Sequence, residues 1–211
     1  MTISLVVGGL PLKNQAFNNK VYLSPNTYSQ TFAPMSTVIP LLRVGSYVYL
    51  AEAHHSVLDG QIGMNSLQRK ACRLQMEEPT VVTCFDGGPE TTLANITFSV
   101  DLLVKKKSAD GKPSRNLKQV DCDDLLDSFR SIHEMQVFKI GQNIAVDFEG
   151  TKYSLAVVGM SHVSIGEEGG AECEFGQVLP PTSIGFSKAG GAQLDLSGKS
   201  LTSAGGSAAN R

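Results

Sequence analysis

The stretch "LDLSGKS" ends in Gly198, Lys199 and Ser200, the residues that close a nucleotide-binding phosphate loop. That chemistry needs an earlier glycine, so that backbone N–H groups turn inward around the phosphates, and a helix opening at the serine. Gln193 stands where the earlier glycine belongs, and "LTSAGGSAANR" follows, a small and polar run with no apolar periodicity. The segment therefore reads as a short strand, "QLDL", ending in a turn, and the run after it as a flexible tail.

Other reactive side chains are no better placed. Cysteines at 72, 84, 122 and 173 include no C-x-x-C pair, so neither a zinc site nor a disulfide framework is indicated, and small buried hydrophobes are expected. A cysteine nucleophile would need a base such as His133 or His162 within hydrogen-bond reach, which no local spacing provides. His54 and His55 are neighbours on an expected strand, so their rings leave opposite faces and cannot share a metal. Glu167, Glu168, Glu172 and Glu174 lie in a glycine-rich loop and read as solvated carboxylates. A catalytic constellation is not expected, nor a cofactor held by this chain.

The basic groups form a pattern. Lys105, Lys106, Lys107, Lys112, Arg115 and Lys118 face a single acid, Asp110, within one stretch, and Asp121, Asp123, Asp124 and Asp127 follow directly. Arg69, Lys70 and Arg73 make a second group in "LQRKACR". A formal net charge of -2 argues against a general nucleic-acid binder. The lysine runs also lack the interleaved aromatics that grip single strands. An acidic protein surface suits them better.

These groups must be carried by a chain of 211 residues, 41% hydrophobic, enough to bury a real core. No stretch approaches the ~20 apolar residues of a membrane span and no basic residue precedes the first apolar run, so a cytoplasmic protein is expected. Up to residue 88 short β-rich runs alternate with turns: "ISLVVGG", "KVYLSP", a polar stretch with Pro34 and Pro40, "SYVYLAEAHH", "QIGMN" and "PTVVTCF". Asp59-Gly60 marks a tight turn. Asn65 or Ser66 can cap a brief helix with Leu67, Ala71 and Leu74 on one side. "DGGPE" breaks the pattern at 86–90 and places a boundary near 88.

Beyond it, "ANITFSVDLLVKKK" is a strand, and a helix is expected over about 121–134, capped by Asp121, with Leu125, Leu126, Phe129 and Ile132 on its apolar face. "QVFKIGQNIAVDFEGTKYSLAVVGM" reads as a strand pair turning at Glu149-Gly150, and "TSIGFSK" and "QLDL" are late strands. The outline is a β-rich domain over 1–88, an α+β domain over 89–200 and a linker over 201–211.

"SVLDGQIGMNSLQRKACRL", "ITFSVDLLVKKK", "QVFKIGQNIAVDFEGTKYSLAVV" and "IGFSKAGGAQLDLSGKS", in that order and at those intervals, resemble the N-terminal domain of N-ethylmaleimide-sensitive factor, the vesicle-fusing AAA ATPase. The resemblance implies a double-psi β-barrel followed by a small α/β roll. It implies a domain that hydrolyses nothing itself and binds the adaptor SNAP on SNARE complexes, while ATPase domains elsewhere in a hexameric parent, with ATP and Mg, disassemble the SNARE bundle. By position it assigns partner contacts to Arg69, Lys70, Lys105, Lys106 and Lys107. The isolated domain is expected to be monomeric and recruited to membranes only through partners. Animal members of the family carry Trp and Gly after the Arg-Lys pair, where this chain has Ala71, Cys72 and Arg73. Gly9 stands where a basic residue is expected, with Lys13 nearby. Alternatives are a valosin-containing-protein-like domain serving ubiquitin-pathway adaptors and an enzyme built on a double-psi barrel, which lacks here an "Asp-Thr-Gly" loop or a Gly-Ser cleavage site.

Overall fold

The computed structural model describes residues 2–32, 39–104, 117–163 and 174–202. The first lobe comprises β1 (Thr2–Gly8), β2 (Val21–Leu23), α1 (Pro25–Phe32), β3 (Leu41–Val44), β4 (Tyr47–Ala53), β5 (Gln61–Gly63), α2 (Ser66–Cys72) and β6 (Pro79–Cys84). Its strands close into a barrel in the order β1-β5-β2-β4-β3-β6. The β1–β5 and β2–β4 pairs are parallel and the remaining pairs antiparallel. This is the double-psi β-barrel, mixed in strand direction as that fold requires.

Alternation explains the barrel. In β1, Leu5 and Val7 are buried while Val6 faces out. Val21, Leu23, Leu42, Val44, Tyr49, Ile62, Met64 and Val82 fill the interior from the other strands, each worth about 1.5–3 kcal/mol of apolar burial for the aliphatic side chains. Gly63 marks a close approach inside it: a Cβ there would stand 3.0 Å from the Gly9 carbonyl oxygen and 3.2 Å from Tyr22 Cβ.

The second lobe contains β7 (Leu93–Leu102), β8 (Lys118–Asp121), α3 (Cys122–His133), β9 (Val137–Lys139), β10 (Asn143–Phe148), β11 (Thr151–His162), β12 (Phe175–Gln177), β13 (Ser183–Lys188) and β14 (Leu194–Ser197). Its main sheet runs β10-β11-β7-β13, with β13 parallel to β7. The small pairs β12–β9 and β14–β8 flank it. Glu149 and Gly150, both at positive φ (51° and 70°), form the expected β10–β11 turn. The α3 helix lays Cys122, Leu125, Phe129 and His133 against Phe98, Phe138 and Phe186. This is the α/β subdomain, and its core is separate from that of the barrel.

Several local readings need correction. The polar stretch after "KVYLSP" contains α1, a helix whose buried side chains are Thr27 and Thr31, so no apolar stripe announces it. Ser24 Oγ accepts from Thr27 N at 3.0 Å, and Pro25 occupies the first helical position. His54 and His55 lie beyond the end of β4, in a turn. In α3, Ile132 is exposed, and His133 takes the buried place. In α2 it is Gln68 that is buried; Leu67, Ala71 and Leu74 are half-buried. The run from 137 to 162 holds three strands, not two, because a turn at Gly141 (φ 78°) splits off β9. Most of the expected 201–211 linker lies outside the described residues.

Candidate functional site

The first candidate is the Gly-Lys-Ser turn, and it already holds an anion of its own. Asp123, in the first turn of α3, accepts from Lys199 N at 3.0 Å, Ser200 N at 2.9 Å and Ser200 Oγ at 2.8 Å. These hydrogen bonds hold its carboxyl below the usual carboxylate range. Gly198 (φ 104°) lets the turn close on this helix end: a Cβ there would lie 3.1 Å from Asp121 Oδ1 and 3.2 Å from Asp123 Cγ. The inward-pointing N–H groups are thus satisfied within the chain, and the motif ends β14 in a turn, as its sequence suggests.

The cysteines and histidines do not pair among the described residues. Cys72 Sγ lies 3.7 Å from Tyr49 Oη and 3.4 Å from the Val44 carbonyl oxygen. Burial pushes its thiol up, and burial together with Asp121 and Asp123 pushes Cys122 up to about 11. His162 Nε2 lies 2.9 Å from the Phe175 carbonyl oxygen. Cys173, Glu167, Glu168 and Glu172 lie outside the described residues.

The basic candidates begin on α2. Asn65 accepts from Gln68 N at 2.8 Å and the Gln68 side chain accepts from Asn65 N at 2.8 Å, a reciprocal capping box. Gln68 then donates through Nε2 to the Lys20 carbonyl at 3.0 Å, fixing the helix against the barrel. Arg73 ends it in the left-handed conformation (φ 57°). On this short, doubly anchored helix Lys70 is exposed and Arg69 half-buried, with Arg69 Nη1 donating to the Met64 carbonyl oxygen at 2.6 Å. Lys70 makes no ion pair with a described residue and is free for a partner. Arg69 already has one structural task.

Lys105, Lys106 and Lys107 lie outside the described residues, but the strand that leads to them does not. Leu102 pairs with Tyr153 of β11, and Leu103 N donates to the Lys152 carbonyl at 2.9 Å. β11 pairs with β10, and β10 packs beside α2. The exit of β7 and the Arg69-Lys70 helix therefore flank the same β10–β11 hairpin. Lys152, at its turn end, is exposed and lies 5.2 Å from the Phe17 ring centroid, across to the barrel lobe.

A seam joins the lobes. Leu41 and Val48 of the barrel pack on Val137 and Phe175 of the second lobe. Gln136 is fully buried; its Nε2 donates to the Asn18 carbonyl at 2.9 Å, and its Oε1 accepts from Asn19 Nδ2 at 3.2 Å. Beside this contact stand two cations that the sequence did not single out. Arg43 Cζ lies 5.0 Å from the Phe175 ring centroid, and Lys139 Nζ lies 5.6 Å from that of Tyr47. Neither residue belongs to a charge run, and only the fold brings them together.

Over 155 residues, 74% of its length, the chain is 25% identical to a vesicle-fusing ATPase of Arabidopsis thaliana. This chain resembles a vesicle-fusing ATPase. It spans about a fifth of that relative's length, the matched part being 20% of it. No family model matches the sequence. The resemblance drawn from the order of weak sequence stretches is thus met by a direct alignment and by the barrel-plus-α/β architecture together. Among the described residues no helix is long and apolar enough to cross a membrane.

Proposed function

We propose that this chain is the adaptor-binding N-terminal part of a vesicle-fusing AAA ATPase. It docks SNAP–SNARE complexes through a basic surface, so that the parent hexamer disassembles SNARE bundles in membrane traffic. Residues 1–88 and 89–200 act as the two subdomains, with the acidic adaptor surface lying across their seam. ATP and Mg are held by the ATPase domains of the parent, and the protein works in the cytoplasm, reaching membranes through its partners.

The reading is carried by the match to the vesicle-fusing ATPase, set on a fold that presents Lys70 and the exit of β7 beside one hairpin. Exposed ion pairs contribute roughly 0–1 kcal/mol each, so one copy of the surface binds weakly and salt erodes it. Six copies meeting several adaptors would raise the effective affinity by about 10²-fold or more.

The test is a pull-down of SNAP–SNARE complex by the full-length protein at two salt concentrations, with Lys105→Glu/Lys106→Glu beside wild type. Capture that is strong at low salt, weaker at high salt and reduced by the double substitution is expected. Equal capture by both proteins would remove those lysines from the interface.

A further inference from the structure

Glu174 sits between the seam cations, its Oε2 3.8 Å from Arg43 Nη2 and its Oε1 in contact with Lys139 Nζ. The Phe175 ring, 5% exposed, forms the floor: Arg43 Cζ is 5.0 Å and Lys139 Nζ 5.9 Å from its centroid. Arg43 comes from the barrel and Lys139 from the second lobe, so this arrangement exists only where the lobes meet. We propose that Arg43 and Lys139 form a carboxylate seat, held in the free chain by Glu174, and that a carboxylate of an acidic protein partner takes its place. The partner's acidity rests on the function proposed above; the seat itself rests on the geometry.

Accessibility and charge support the exchange. The side chains of Arg43 and Glu174 are 44% and 49% exposed, so an incoming carboxylate reaches them without unfolding the seam. The exposed Arg43–Glu174 pair is weak, so exchange begins there, while Lys139, 22% exposed, is the more covered half of the seat. A partner bringing several carboxylates at once gains by joining this contact to its others.

Packing inside the barrel ties the seat to α2, because Tyr49 is buried. Tyr47, under the Lys139 ammonium, stacks on Tyr49 at 6.3 Å, and Tyr49 Oη meets Cys72 Sγ of α2, two residues beyond Lys70.

The experiment measures binding of a fluorescent oligoglutamate peptide to the whole chain by anisotropy, and in parallel capture of SNAP–SNARE complex by the full-length protein. The variants are Glu174→Gln, Glu174→Ser, Arg43→Gln and Arg69→Glu/Lys70→Glu, with thermal midpoints confirming folding. Removing Glu174's charge is expected to tighten oligoglutamate binding by about two- to fivefold, the scale of one exposed ion pair, and Arg43→Gln to weaken it similarly. Unchanged or weaker peptide binding by both Glu174 variants overturns the seat and makes Glu174 a staple between the lobes. If the peptide follows the seat while SNAP–SNARE capture ignores every variant, the seat stands and the adaptor assignment fails. If capture responds to Arg69→Glu/Lys70→Glu and the Glu174 variants do nothing in either assay, the adaptor assignment stands and the seat fails.

Discussion

Replacing His133 by Phe should remove a large part of this protein's acid sensitivity. His133 is fully buried at the end of α3, its ring 4.6 Å from that of Phe129, and neither ring nitrogen has a hydrogen-bond partner. Burial pushes the imidazole from 6.5 down to about 4; the neighbouring Gln136 side chain, which lies outside hydrogen-bond geometry, opposes this only in part, and the Lys20 ammonium adds to it. Above pH 6.5 the ring is neutral in both the folded and the unfolded chain and titration contributes nothing. Between 6.5 and about 4 the unfolded chain takes up a proton that the fold refuses, so stability falls as pH falls. Below about 4 both states are protonated and the slope vanishes. The full difference of 6.5 − 4 = 2.5 corresponds to about 3 kcal/mol, of which about 2 kcal/mol is lost by pH ~5. Urea unfolding at pH ~7.5 and ~5 checks it. The wild type should lose about 2 kcal/mol more than His133→Phe over that interval, with unchanged m-values. Asp59 and Asp123, whose carboxyls are held below the usual range, act at lower pH and are common to both proteins. Equal losses for the two proteins would refute the view of His133 as a neutral, unpartnered imidazole.

Other outcomes follow from the contacts that position the surface. Asn65→Ala removes the reciprocal cap of α2 and its 3.3 Å donation to the Ala16 carbonyl, and should cost about 1–2 kcal/mol in chemical denaturation while weakening adaptor capture. Asp123→Ala leaves the N–H groups of Lys199 and Ser200 without their acceptor, so hydrogen exchange at these amides should accelerate by about tenfold or more while β7 stays protected. Cys72 and Cys122, with thiols pushed up in pKa, should react with maleimide far more slowly than a free thiol at neutral pH, and denaturant should abolish the difference.

The sequence was informative where a physical pattern is local. β1, β7, the β10–β11 hairpin and α3 were legible from period-2 alternation, a Glu-Gly turn and an aspartate cap, each of which needs only neighbouring residues. α1 was missed although Ser24-Pro25 is a good helix start, because its buried face is threonine and the apolar period is absent. β8, β9 and β12 are only three or four residues long and are defined by partners far along the chain. His133, not Ile132, is the buried residue at the end of α3, its ring against Phe129, and both fall at helical spacing from Phe129, so the apolar pattern alone favours the isoleucine. The proposed basic surface is only half legible in the sequence. Arg69 and Lys70 stand in a visible run, whereas Arg43 and Lys139 are isolated charges that become a pair only when Glu174, 35 residues beyond Lys139, settles between them.

The most direct measurement is co-sedimentation of full-length protein with SNAP–SNARE complex for Arg69→Glu/Lys70→Glu, Lys105→Glu/Lys106→Glu and the combined variant, at ~0.05 M and ~0.15 M salt. Each pair of reversals should weaken recruitment by about tenfold or more at the lower salt, the combined variant should lose it, and added salt should shrink every difference. Loss confined to one pair, with the other indistinguishable from wild type at both salts, would contradict a single docking face shared by α2 and the exit of β7.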